Sequence, residues 1–477
     1  MNSHFYDDTI IAPATIPGTG AISILRISGP KAFALADAVV QLKRGNVSES
    51  DGYTIHYGTV SMKDGTFLDD VLVSVFRAPH SYTGEDSVEI SCHASRYIVG
   101  ELVRLFLAAG ARSAKPGEFT KRAFLNGKMD LAQAEAVADV ISSTTSSSHR
   151  LAVKQMRGGF SRELETLRGE LLEMTSLLEL GLDFSEEEVE FADRSRLCTL
   201  VDATLAHITR LADSFRLGNV VKNGVPVAIV GAANAGKSTL LNALLGEERA
   251  IVSDIAGTTR DTIEEVLNLD GILFRFIDTA GIRSTSEAVE QMGISRTFRK
   301  ISEAEIVLAV LDTLSDENDL LNNLQEIVSH LDFTTQQLLL VLNKVDMMDE
   351  SRINKIVNII NKFVSCNDIK PITLKLSAKT GVGLSELKSR LSALEKDLIS
   401  SEDSTFVTNV RHYEALCEAA TALAAARSSL SSPTPADLVA EDLRRAISSI
   451  NLILGTDLGL DSETVLYHIF KNHCIGK

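Results

Sequence analysis

VPVAIVGAANAGKSTLLNALLG, residues 225–246, places a short apolar strand, a glycine-bearing loop and a leucine-rich run in immediate succession. The loop GAANAGKS (231–238) has the G-x-x-x-x-G-K-S spacing of a phosphate-binding loop. Its glycines let backbone amides close around phosphate oxygens, so Asn234, Ala235, Gly236 and Thr239 become candidate phosphate contacts. Lys237 reaches the β- and γ-phosphates, and the Ser238 hydroxyl is placed for Mg²⁺.

Working outward, further elements follow in the order that a guanine-nucleotide site requires. GTTRD (257–261) offers Thr259 as a second Mg²⁺ hydroxyl. VLNLDGILFRFI predicts a hairpin turning at Asp270-Gly271 and delivers DTAG (278–281). There Asp278 can hold Mg²⁺ through water and the Gly281 amide can meet the γ-phosphate, with Thr279 and Ala280 between them. Strand LLLVL (338–342) ends in NKVD, giving Asn343, Lys344 and Asp346; strand PITLKL (371–376) ends in Ser377, Ala378 and Lys379. A carboxylate at Asp346 accepts the two guanine N–H groups that adenine lacks. The whole predicts a GTPase on a P-loop, Ras-like, doubly wound α/β domain. Ras-like enzymes carry a glutamine after DTAG to orient the attacking water, whereas this chain has Ile282. Water positioning must come from elsewhere, and Glu287 and Glu290 are the acidic residues nearby.

The segments around this domain differ in texture. Residues 1–128 predict an α+β domain, with strands in 21–29, 51–60, 66–79 and 86–93 and a helix over 96–109. Residues 129–222 are helix-periodic, and 398–477 return to that texture with the Ala-rich 416–426. The Ser/Thr run 142–148 reads as a polar junction between helices. The simplest assembly inserts the α/β domain, 223–397, into a helical domain and sets the α+β domain in front.

At 477 residues with 44 % hydrophobic and 23 % charged, the chain has material for several cores. Its 47 Lys+Arg against 64 Asp+Glu give −17, which argues against coating nucleic acid or an anionic membrane; RNA contact needs a local patch or a basic partner. Five scattered cysteines imply neither a disulfide framework nor a zinc cluster. No signal-peptide pattern or membrane-length apolar run is present, so a cytoplasmic protein is expected. Acidic 182–191 reads as a solvated charge run or as a docking surface for a basic partner.

ATIPGTGAISILRISG (14–29), SYTGEDSVEI (81–90), KPGEFTKRAFLNGKMDLAQAEA (115–136), LDFSEEEVEF (182–191) and the terminal CIGK (474–477) resemble the tRNA modification GTPases called MnmE or TrmE. The resemblance spans the whole chain. It departs at Ala233, where the family usually has proline, at Ser253, where threonine is common, and at His473, which replaces an aromatic residue. The resemblance implies a K⁺-dependent, homodimeric GTPase with a TrmE-type G domain. K⁺ would be held by Asn234, Ser253, Ile255 and Thr258, with Asp254, Ala256 and Gly257 completing the GTP-binding loop. It makes Glu290 the catalytic residue that positions water. It further implies a folate-binding-like N-terminal domain in which Arg26, Glu85, Lys128 and Lys477 hold 5-formyl- or 5,10-methylene-tetrahydrofolate. From chemistry alone Glu85 and Lys128 read as turn residues and Arg26 as a snorkelling strand residue. Cys474 is a possible reactive thiol, though a lone cysteine is most often inert. The implied partners are tRNA and an FAD-dependent protein forming a heterotetramer, and the implied product is a carboxymethylaminomethyl-type group at C5 of a wobble uridine. A regulatory GTPase of ribosome assembly is the alternative; such proteins append a basic RNA-binding module, whereas here the follow-on is helical and Ala-rich.

Overall fold

A computed structural model describes residues 7–183, 194–246, 265–277, 301–367, 369–399, 405–432 and 434–456, with positions 466, 469, 470 and 476. The chain divides into two compact units. One comprises Met1–Ser142, Ala152–Thr209 and Glu414–Lys477, the other Ser143–Leu151 and Arg210–Tyr413.

The first unit opens with β1 (Ile10–Pro13), β2 (Ile22–Ser28), α1 (Ala32–Val39), β3 (Val40–Leu42), β4 (Thr54–Ser61) and β5 (Phe67–Phe76). β6 (Ser87–His93), α2 (Arg96–Ala109), β7 (Arg112–Ser113) and α3 (Glu118–Leu125) follow. The strands form one seven-stranded sheet in the order β3-β4-β5-β6-β2-β1-β7. Strict alternation in VLVSVF turns Val71, Val73 and Val75 to one face, where they join Leu25, Ile27, Val88 and Ile90 beneath Leu102 and Phe106 of α2. Each such side chain contributes roughly 1.5–3 kcal/mol on full burial. The same alternation sends Arg26 and Ser28 to the opposite face, where Ile10, Ala12 and Phe119 of α3 form a small second core.

Helices α4 (Leu131–Ser142), α5 (Ser146–Met156), α6 (Gly159–Asp183) and α7 (Arg194–Asp213) come next. The Ser/Thr run is a helix junction, as expected, and Thr145 and Ser148 cap α5 reciprocally through hydroxyl–amide bonds of 3.1 and 3.2 Å. On α6, Leu164, Leu167, Leu171, Met174 and Leu178 recur every three or four residues and are buried. Helix Ala436–Leu454 packs along α6, and the small side chains Ala415, Ala419, Ala422 and Ala426 are buried in helix Val410–Leu430. No helix among the described residues is long and apolar enough to cross a membrane.

The second unit contains α8 (Phe215–Asn223), β8 (Val225–Val230), α9 (Lys237–Leu245), β9 (Glu265–Leu269) and β10 (Ile272–Phe276). It continues with β11 (Ile306–Asp312), β12 (Gln337–Asn343) and β13 (Ile372–Lys375). The six-stranded sheet runs β13-β12-β11-β8-β10-β9, parallel except for β9. The expected hairpin turns at Asp270 and Gly271, whose φ values of 53° and 87° suit a tight two-residue turn. Both faces of the sheet are covered. Val227, Leu308 and Val341 meet α9 and helix Leu384–Ile399, while Ala228, Val307 and Leu340 meet helices Glu317–Val328 and Glu350–Cys366. Chain order reverses at β8, whose neighbours are β10 and β11, so the crevice for a ligand opens at the carboxyl end of β8.

Candidate nucleotide and pterin sites

The loop after β8 leads directly into α9. Gly236 caps the helix with φ +95°, and a Cβ there would fall on the Asn343 side-chain amide, so the position accepts only glycine. Asn234 adopts φ 62°, a left-handed conformation that asparagine tolerates better than most residues. Lys237 opens α9 and folds its ammonium back over the loop, donating to the carbonyls of Gly231 and Ala232 at 2.7 Å each. Ser238 and Thr239 lie in the first helical turn, where the backbone N–H groups and the helix dipole favour phosphate. Leu240, Leu241, Leu244 and Leu245 anchor the rest of the helix in the core.

Asn343, at the end of β12, ties three loops together. Its amide nitrogen donates to the Ala235 carbonyl at 2.8 Å, and its amide oxygen accepts from the Ala378 backbone N–H at 2.9 Å. Its own carbonyl accepts the Thr313 hydroxyl at 2.8 Å. Lys344 sits at φ 69° and starts the short 3₁₀ turn Val345–Met347 that carries the exposed Asp346. Ser377 and Ala378 are buried beside Asn343, while Lys379 is exposed. The geometry therefore gathers the phosphate loop, NKVD and SAK at the carboxyl ends of β8, β12 and β13.

Ser253, Asp254, Ile255, Ala256, Gly257, Thr258, Thr259, Asp278, Thr279, Ala280, Gly281, Ile282, Glu287 and Glu290 lie outside the described residues, as do Cys474, Lys477 and most of 182–191. Of the expected ion ligands, Asn234 and Ser238 are described. Among the described residues no cluster of three or more His, Cys, Asp or Glu side chains is arranged for a metal.

In the first unit, the segment 79–85 contains Glu85 and touches Arg26 through Tyr82 and Lys128 through Pro79. The Arg26 guanidinium lies 5.2 Å from the Tyr82 ring centroid and 5.7 Å from that of Phe119. Its cross-strand partner Glu89 accepts from Nε at 2.9 Å and from a terminal nitrogen at 2.8 Å. The other terminal nitrogen donates to the Gly476 carbonyl at 3.3 Å, which holds Gly476 beside β2. Gly476 has φ +99°, and a Cβ there would strike the Pro13 carbonyl. Glu85 is 2 % exposed and accepts the Ser28 hydroxyl at 2.7 Å and the Arg122 guanidinium at 3.2 Å. Lys128 packs its methylenes near Gly84 and donates to the Pro79 carbonyl at 2.9 Å.

Arg122, fully buried, also donates to Asp8 at 2.6 Å and to Glu118 at 3.1 Å, and Glu118 takes Arg112 as well. Burial alone would raise the Asp8 and Glu118 carboxyls. For Asp8 the bonds from Arg112 and Arg122 outweigh it; for Glu118 those from Arg112 and the Lys115 amide do. Both carboxyls are held below their ordinary values.

Two family models match the chain: the MnmE helical domain over residues 131–474 and the GTP-binding protein TrmE N-terminus over residues 9–128. A tRNA modification GTPase MnmE of Bacteroides fragilis is 49 % identical over 98 % of this chain and 99 % of its own length. Its counterpart in Parabacteroides distasonis is 46 % identical over 98 % of this chain and 100 % of its own length. The chain belongs to the MnmE/TrmE family of tRNA modification GTPases. Among solved structures, Aquifex aeolicus Era with GDP and aluminium fluoride matches 41 % of this chain and 66 % of that chain, at 26 % identity and a TM-score of 0.28.

As an MnmE/TrmE protein, this chain is a GTP hydrolase of a tRNA-modifying family. Its structure adds residues that sequence reasoning passed over: Thr313 behind NKVD, Tyr82, Glu89 and Phe119 around Arg26, and Ser28 and Arg122 around Glu85. A signal for Glu89 was present, since Arg26 and Glu89 are each a single charge between apolar strand neighbours.

Proposed function

We propose that this GTPase is potassium-dependent and works with an FAD-dependent partner to add a carboxymethylaminomethyl-type group to C5 of the wobble uridine of certain tRNAs. The carbon comes from 5-formyl- or 5,10-methylene-tetrahydrofolate. In this reading residues 1–128 bind the folate and form the homodimer, 129–222 and 398–477 make the helical domain, and 223–397 hydrolyse GTP. The protein acts in the cytoplasm.

The observation that carries the nucleotide half is Asn343 bridging the Ala235 carbonyl and the Ala378 amide. One residue then couples the phosphate loop to the base-reading loops. Lys237 and the N-terminus of α9 stabilise charge on the β- and γ-phosphates, and Asp346 reads guanine. Ser238, in the first turn of α9, and Thr259 suit Mg²⁺. Asn234, in its left-handed turn, suits one ligand position for K⁺, with Ser253, Ile255 and Thr258 supplying the others. A cation bound there neutralises charge developing between the β- and γ-phosphates. Glu290 orients the attacking water, a task that the Ile282 side chain has no group to perform.

The folate half is supported by the segment 79–85, which carries Glu85 and touches both Arg26 and Lys128. Tyr82 and Phe119 supply apolar faces of the kind a pterin packs against.

Potassium dependence is tested by steady-state GTP turnover in KCl and in NaCl at equal ionic strength. Turnover much faster in KCl is expected, because the smaller ion fits the loop oxygens poorly. Equal rates would remove the K⁺ assignment.

A further inference from the structure

The end of β11 does something for the nucleotide site that its sequence, LDT, does not announce. Asp312 and Asn343 are the last aligned pair of β11 and β12. Immediately beyond that pair, Thr313 is fully buried. It reaches the Asn343 carbonyl twice, through its hydroxyl at 2.8 Å and its backbone N–H at 3.2 Å. The Asp312 carboxylate takes the Lys344 ammonium at 2.6 Å and accepts the Leu314 amide at 3.0 Å through its other oxygen. Between those two grips lies the Asn343–Lys344 peptide, where the chain enters the left-handed φ of 69°. A non-glycine residue held there is strained and persists only where its surroundings impose it. The next residues are the 3₁₀ turn that carries Asp346.

We propose that Asp312 and Thr313 are positioning residues for guanine recognition: together they impose the Lys344 turn and thereby aim the Asp346 carboxylate at the base. Neither residue touches nucleotide in this account; each acts through NKVD. The proposal rests on Asp346 being the acceptor of the guanine donors. It adds that the selectivity of that acceptor is set from β11.

Guanine and hypoxanthine differ in the exocyclic amine, so the preference for GDP over inosine diphosphate reports how well Asp346 is aimed. Calorimetric binding of both nucleotides to the full chain, in magnesium-containing buffer, reads it directly. Thr313→Val keeps the branched shape and removes the hydroxyl. It should weaken GDP by about tenfold, the scale of one buried hydrogen bond, and inosine diphosphate by clearly less, so the preference narrows. Thr313→Ser, which retains the hydroxyl, should restore the preference, and Asp312→Asn should narrow it as Thr313→Val does. A merely structural role would lower the melting temperature yet leave the preference unchanged, and that result in both Thr313→Val and Asp312→Asn overturns the proposal. Asp346→Ala separates the layers. If it leaves the preference intact, the reading of Asp346 fails and the proposal with it. If it erases the preference while the β11 variants do not narrow it, the proposal alone fails.

Discussion

Ile282 leaves the attacking water without a hydrogen-bonding group at the position that glutamine fills in Ras-like enzymes. Two glutamates follow it, and the family resemblance distinguishes them, since charge and spacing alone do not. Glu290→Ala is expected to lower single-turnover GTP hydrolysis by a factor of roughly 10–1000 with GTP affinity nearly unchanged. Glu287→Ala should do little. Rapid-quench measurements on the two variants decide the matter, and matching rates would remove Glu290 from its role. Glu85 gives the converse lesson. In TGED it has the look of a turn residue, yet it is 2 % exposed and holds the Ser28 hydroxyl and the Arg122 guanidinium. Its burial comes from β2 and α3 closing over it, a long-range fact that no local spacing encodes.

At the scale of elements, α3 is held to β1 and the sheet edge by charge as much as by Phe119. Asp8 and Glu118 have folded values below their ordinary ones of 3.8 and 4.5. A carboxyl depressed in this way adds stability above its unfolded value, and that stability is lost as pH falls through the folded value. Glu118→Gln should therefore lower the melting temperature clearly at neutral pH, where it leaves Arg112 and the buried Arg122 short of a charged partner. The gap between variant and wild type should begin to narrow as pH falls below about 4.5, where Glu118 of the unfolded chain takes up a proton, and close once pH passes below the depressed folded value. Melting curves from neutral pH to about pH 3 check this, and a gap that stays constant would contradict the account. Much of the element map was legible in advance. β2, β4, β5, β6 and α2 fall where alternation and helical periodicity place them, and the Asp270-Gly271 hairpin turns where expected. β1, β3 and β7 are two to four residues long, too short for any period to register. β11 is an unbroken apolar run, IVLAVL, up to Asp312, which a two-residue period cannot flag because both of its faces are buried. Its clamp on NKVD depended on knowing that it neighbours β12.

At the scale of the whole molecule, the nucleotide loops belong to one compact unit and Arg26, Glu85 and Lys128 to the other. A chain with 64 acidic and 47 basic residues is poorly suited to hold tRNA by general attraction. The division of labour makes the two halves separable by substitution. Arg26→Ala removes the guanidinium between Tyr82 and Phe119, so 5-formyltetrahydrofolate should bind more weakly by roughly 1.5–3 kcal/mol, as expected for one charge-assisted hydrogen bond. GTP hydrolysis should continue, because the phosphate loop, NKVD and SAK belong to the other unit. The most direct measurement is mass spectrometry of wobble nucleosides from a deletion strain complemented with wild type, Lys237→Ala or Arg26→Ala. Wild type should restore the carboxymethylaminomethyl-type uridine, and both variants should fail, Arg26→Ala while still hydrolysing GTP as purified protein. An unmodified wobble position that wild type does not restore, or full modification with Arg26→Ala, would contradict the account.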